Sequence, residues 1–247
     1  MTHRVIMIVM RVSKTHVIAA ILIFFLPLCG CRQAVIEPSE IPQIAPYSAM
    51  AEMHQTRLLV RSLLYRHGTY LTPAQIERLA GRIVQWSHAA NFDPLFVLAI
   101  IKVESDFQPR AESYAGAGGL MQILPWVADA EARRLGYTDA HDLHPDGIWD
   151  LEVNLRLGIH YLGRLRDRFG EDELFVAAYN MGPTLLAARL RQGIRPLGQY
   201  HALVRVAYLQ MLAARRQYDA AGGSANSTFL EAETGHRQTP GFDRLMR

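Results

Sequence analysis

Only two cysteines, Cys29 and Cys31, occur in the 247 residues. That is too few for a disulfide framework or a four-thiolate zinc site. No uncharged apolar run reaches the ~20 residues that a membrane-spanning helix needs. Alternation of apolar and polar residues over a convincing strand length is also missing, which argues against an all-β fold and for a mainly α one. An excess of one charge is almost absent, with 26 Lys and Arg against 23 Asp and Glu, a net +3. What is present is ordinary for a globular chain: half of the residues are hydrophobic and 20% are charged. A disordered chain or a collagen-like fibre is excluded, and the length suits one domain with appendages.

The small positive excess is concentrated at one end. Arg4, Arg11 and Lys14 are the only Lys, Arg, Asp or Glu residues before Arg32, and Val17 to Leu28 is an uncharged, apolar stretch. A basic start, a short apolar run and small residues behind it form the pattern of an export signal, with Met7 and Met10 as alternative starts. Leu28-Cys29-Gly30-Cys31 resembles the lipobox of bacterial lipoproteins. That resemblance implies cleavage before Cys31 and acylation of its thiol. A plain signal peptide or an uncut membrane anchor are the alternatives. Without residues 1–30 the chain would carry 23 basic and 23 acidic side chains, so the net charge carries no information about an acidic substrate.

The expected organisation is a signal over 1–30, a Pro-containing tether over 31–47, and a helical extension over 48–70. A domain over 71–218 and a polar, disordered tail over 219–247 complete it. Thr72-Pro73-Ala74-Gln75 reads as an N-cap, a first-turn proline and a capping-box glutamine, opening a helix to about Ala90. Asp93-Pro94 repeats the signal before Leu95-Phe96-Val97-Leu98-Ala99-Ile100-Ile101, a run apolar on all sides and therefore expected at the centre of the domain. Further helices are predicted near 125–135, 151–169, 172–180, 183–191 and 199–218. Gly136, Gly170 and Gly193 stand where three of them should end.

One carboxylic acid stands apart. Glu104 lies near the C-terminal end of the apolar helix, with Val97, Ile100 and Ile101 on its side. Apolar neighbours and the negative helix end both favour the protonated carboxyl, as a general acid requires. A first solvent-exposed residue where the helix emerges is the alternative, and periodicity does not choose between them.

The wider pattern is more specific. Glu104-Ser105-Asp106-Phe107-Gln108-Pro109 is followed by Ser113, then by Gly116-Ala117-Gly118-Gly119-Leu120-Met121-Gln122-Ile123. Later come Asn154, Gly158, Tyr161 and Leu162, and Ala178-Tyr179-Asn180-Met181-Gly182. In this order the stretches resemble the catalytic domain of the Slt-type lytic transglycosylases, relatives of goose-type lysozyme, over roughly residues 75–215. The resemblance implies a mainly α, lysozyme-like domain with a substrate cleft and little or no β-structure. It implies cleavage of peptidoglycan glycan strands between N-acetylmuramic acid and N-acetylglucosamine. Glu104 would be the single acid/base, protonating the glycosidic oxygen and then deprotonating the C6 hydroxyl, so that a 1,6-anhydro ring forms. The sugar's own N-acetyl group would replace a second carboxylate, a known exception to the two-acid rule.

By the same resemblance Ser113, Gln122, Tyr179 and Asn180 are substrate-binding, with the Tyr179 hydroxyl beside the catalytic acid. Gly116, Gly118 and Gly119 would let backbone approach a sugar, although turn formation alone also accounts for them. Asn154 and Tyr161 read as architectural, and Asp106 as a helix-end or surface residue. Leu124-Pro125-Trp126-Val127 departs from the family's Met-Pro and threonine, leaving Trp126 either to stack on a sugar or to pack. His141, Asp142, His144, Asp146 and Asp150 fit no zinc spacing and read as a loop leading to an Asp150 N-cap. No metal, cofactor or nucleic-acid partner is expected. Asn226-Ser227-Thr228 has the form of a glycosylation sequon, without meaning in a bacterial lipoprotein. Arg32 behind the acylated cysteine, in place of aspartate, implies sorting to the outer membrane, facing the periplasm. Two other readings remain: a muramidase that uses Glu104 with water, and a non-catalytic peptidoglycan-binding scaffold.

Overall fold

The computed structural model describes residues 47–68, 70–196 and 198–223. The signal, Cys31, nearly all of the tether and most of the tail lie outside the described residues. Helices dominate: α1 Tyr47–His67, α2 Pro73–Ala89, α3 Pro94–Ser105, α4 Pro125–Arg134, α5 Ala140–Leu143, α6 Leu151–Phe169, α7 Asp172–Met181, α8 Pro183–Arg191 and α9 Gln199–Ala220. A 3₁₀ turn at Gly147–Trp149 precedes α6. Among the described residues, pairing of β type is confined to isolated bridges from Gly118 to Glu112 and to Ile123.

Local chemistry sets the helix starts. Thr72 caps α2 in a reciprocal capping box with Gln75, and Pro73 occupies the first turn. Asp93 caps α3 through the Leu95 amide at 2.9 Å, and its second carboxylate oxygen accepts from the Tyr208 hydroxyl of α9 at 2.6 Å. One side chain thus starts the central helix and ties it to the last one. Asp150 caps α6 through the amides of Glu152 and Val153, both at 2.9 Å, as its position ahead of that helix suggested. The short α5 and the 3₁₀ turn fill the segment read as a loop. No His/Asp group in the described residues is arranged to hold a metal.

The core gathers around α3, whose Leu95, Val97, Leu98, Ala99, Ile100 and Ile101 are wholly buried. α1 adds Leu59, Val60, Leu63 and Leu64 to the same core, so it packs with the helices that follow. A second, smaller apolar cluster joins Ile123, Val127, Ala128 and Ala132 to Val153 and Leu157 of α6. The α4–α6 contact also buries a charge. Glu131, 1% exposed, takes His160 Nδ1 at 2.7 Å and an ion pair from Arg164, with Arg134 at 3.4 Å. A buried carboxylate needs such partners, because desolvation without them costs several kcal/mol.

Candidate active site

The site begins where α3 stops. Ser105 is its last residue, and Asp106 and Phe107 follow in consecutive left-handed conformations, φ 50° and 61°. Left-handed backbone is costly for non-glycine residues, so the turn must be held by its surroundings. Phe107 is completely buried and its ring stacks on His67 of α1, centroids 6.2 Å apart. Burial and the cations Lys102 and Arg66 push the His67 pKa down to about 4, so the ring is neutral near pH 7. The Asp106 carboxylate is drawn to Lys102, one turn back on α3, and forms an i,i+4 ion pair. It is a helix-end residue, as its sequence position suggested.

A tight loop, 111–123, lies against this turn. The Ser105 hydroxyl donates to the Leu120 carbonyl at 2.8 Å and to Ile101 at 3.2 Å, fixing the loop to α3. Within the loop, Gly118 pairs with Ile123 in both directions at 3.1 Å. The Gln122 amide donates to the carbonyls of Ala111 at 2.8 Å and Gly119 at 3.0 Å. From outside, buried Asn154 of α6 accepts from the Met121 amide at 2.8 Å and donates to Gly118 at 2.8 Å and Ile148 at 3.0 Å. Its architectural reading is thereby given a specific content. Gly119 has φ +78°, and a Cβ there would come 2.3 Å from Asn154 Nδ2. A Cβ on Gly118 would meet Trp149 at 2.8 Å. Both glycines serve packing and turn formation.

Glu104 is half-buried beside this loop. Desolvation raises its pKa from 4.5 to about 7, and a hydrogen bond from the Tyr200 hydroxyl of α9 works against that rise. The Tyr179 hydroxyl donates to the Met121 carbonyl at 2.7 Å. It is near enough to Glu104 for the carboxylate's charge to add to the burial that holds its phenol protonated. Burial, followed by the charge of Glu104, does the same for Tyr200. The resemblance drew attention to Tyr179 as the hydroxyl beside the acid. The hydroxyl that bonds Glu104 belongs to Tyr200, 96 residues away in sequence. No local pattern marks Tyr200, the second residue of a helix of mixed composition.

The other expected residues are distributed around the loop. Ser113 is exposed, and its hydroxyl accepts from the Ala117 amide at 3.0 Å, which makes it at least a turn-capping group. Gln122 spends its amide N–H groups on the loop backbone. Asn180 is exposed at the end of α7. Trp126 stands 66% exposed at the start of α4 and so is not a packing residue. The arrangement provides one protonatable carboxyl in a low-dielectric setting, two neutral phenols, and a backbone loop rigidly attached to the acid's helix. Such a group can donate a proton near neutral pH and take one back.

Residues 82–195 match the family described as the transglycosylase SLT domain. The soluble lytic murein transglycosylase of Escherichia coli (strain K12) is 36% identical over 92 residues, 36% of this chain and 14% of that protein. The membrane-bound lytic murein transglycosylase C of Actinobacillus pleuropneumoniae is 31% identical over 150 residues, 52% of this chain and 40% of that protein. This chain therefore spans well under half the length of these relatives. Among solved structures, the lytic transglycosylase Slt of Pseudomonas aeruginosa aligns with a TM-score of 0.47 and 25% identity, covering 65% of this chain and 30% of that one.

Proposed function

On the premise that residues 82–195 are a transglycosylase SLT domain, we propose that this chain is a peptidoglycan lytic transglycosylase with Glu104 as its one acid/base. The observation that carries the proposal is the placement of the Glu104 carboxyl, enclosed near the end of α3 under the Tyr200 hydroxyl and next to Ser105, which bonds the loop of the matched motif. Burial there raises its pKa to about 7. A carboxyl that stays protonated near neutral pH can donate to the glycosidic oxygen as the bond to C1 of the muramoyl sugar breaks. The carboxylate left behind then accepts the proton of that sugar's C6 hydroxyl. The C6 oxygen bonds to C1, so a 1,6-anhydro product forms and no water is consumed. Ser113, Gln122, Tyr179 and Asn180 are read as the substrate-binding face. Gln122 acts by shaping the loop, and Tyr179 by holding Met121. Cys31 is read as a lipid attachment point that keeps the domain near a membrane, the outer one by the sorting argument from Arg32.

Mass analysis of fragments released from purified sacculi tests the reaction. Products ending in anhydro sugars are expected; reducing ends would transfer the same acid to a muramidase. No release at all would favour the scaffold. Tyr200 supplies a second test. Its hydroxyl bonds the carboxylate and so lowers the Glu104 pKa. Tyr200→Phe should shift the alkaline limb of the rate profile to higher pH and lower the maximal rate by about tenfold. A slower enzyme with an unshifted limb would place Tyr200 outside the titration of Glu104.

A further inference from the structure

The last helix, α9, presents two unlike faces. Val204, Ala207, Met211 and Tyr218 are buried against the core. At about 100° per residue, Val206, Leu209 and Ala213 fall on the opposite half, with Arg205 and Arg216 among them, and Leu203 stands at the edge of the buried side. Val206 and Leu209 are each 49% exposed, so two branched aliphatic side chains on this face meet water, with the 40% exposed Leu203 flanking them. No acidic residue occurs from Leu174 to Tyr218, a stretch that contains six arginines. Asp219, the only acid of α9, faces Arg215 at 3.7 Å. Among the described residues neither Arg205 nor Arg216 has an ion-pair partner.

We propose that this face of α9 rests on a bilayer surface bearing anionic headgroups. Aliphatic side chains bordered by arginine, without acid, are the composition of a helix lying in a membrane interface. Each arginine near such a surface gains from its negative potential, and each leucine or valine from leaving water. Protein-binding patches are instead centred on aromatic residues and methionine, which this arc lacks. A second copy would bring four arginines together with no acid between them. Where Cys31 is acylated, residues 32–46 could span at most about 50 Å when extended. The arc would then meet the membrane at high effective concentration, and weak affinity would suffice.

The test uses residues 31–247 carrying Cys31→Ser, so that neither the basic, apolar start nor an acyl group contributes. Sedimentation is measured with phosphatidylcholine vesicles, with and without phosphatidylglycerol. Binding to the anionic vesicles alone is expected, released by salt. Val206→Asn with Leu209→Asn, and separately Arg205→Gln with Arg216→Gln, should each weaken it about tenfold. Melting temperature and release of fragments from sacculi should stay at the parent's values in both pairs. No binding to the anionic vesicles, or equal binding by the variants, would overturn the proposal. So would a concentration-dependent dimer abolished by Val206→Asn with Leu209→Asn, since the face would then belong to a second copy. No glycan enters the vesicle assay, so it succeeds or fails independently of the proposed reaction.

Discussion

Glu104→Gln is expected to suppress fragment release from sacculi by about 10²–10⁴-fold, the usual contribution of a positioned general acid. The same change should make the folded protein more stable above pH 7. A carboxyl whose pKa rises from 4.5 unfolded to about 7 folded binds its proton more tightly in the native state. Its contribution is complete below pH 4.5 and is lost as the pH climbs through 7. At pH 8 the native state therefore carries a penalty on the order of 3 kcal/mol, less to the extent that water reaches the half-buried group. Glutamine keeps the shape and an oxygen for the Tyr200 hydroxyl, but it cannot ionise. Melting curves at pH 5 and pH 8 check this. The variant should gain on the parent at pH 8 and differ little at pH 5. An equal difference at both pH values would remove the raised pKa, and undiminished clearing would remove the catalytic role.

Most of the helical frame was legible because its signals are local. Thr72 and Gln75 read each other three residues apart, and Asp93 and Asp150 cap helices that begin at the next residue. Glycines 136, 170 and 193 have positive φ just beyond helices, as helix-ending glycines do. The apolar run from Leu95 to Ile101 announced its burial by having no polar face. Glu104 was legible only as a candidate, since its position near a helix end fits both an enclosed acid and an emerging surface residue. What chooses is the burial of its carboxyl and the Tyr200 hydroxyl that α9 brings to it, which periodicity cannot express. Tyr200 and Glu131 were not singled out for the same reason. Their partners lie 96 and about 30 residues away, and no spacing rule reaches across such a distance. Turn formation was one of the two readings given for the loop glycines, but their packing against other elements was not foreseen. Gly119 is small because an α6 side chain occupies the space where a Cβ would be.

That side chain, Asn154, carries the second large effect. Its amide makes three hydrogen bonds within a site 1% exposed: one to the Met121 amide and two to the carbonyls of Gly118 and Ile148. Asn154→Ala deletes all three and leaves backbone groups without that partner in a place where water enters poorly. At about 1–3 kcal/mol for each buried group left unpaired, the expected loss of stability is on the order of 3–5 kcal/mol, visible as a large fall in melting temperature. The consequence should extend to catalysis, because Met121 is held from one side by Asn154 and from the other by the Tyr179 hydroxyl. A loosened loop admits water to Glu104, and desolvation is the largest cause of that group's raised pKa. The alkaline limb of the rate profile should therefore move to lower pH, opposite to the shift expected for Tyr200→Phe. Gly119→Ala should imitate the variant, since its Cβ would displace the same amide. Should Asn154→Ala lower the melting temperature with the alkaline limb unmoved, the loop would be a support for the fold with no part in setting the acid.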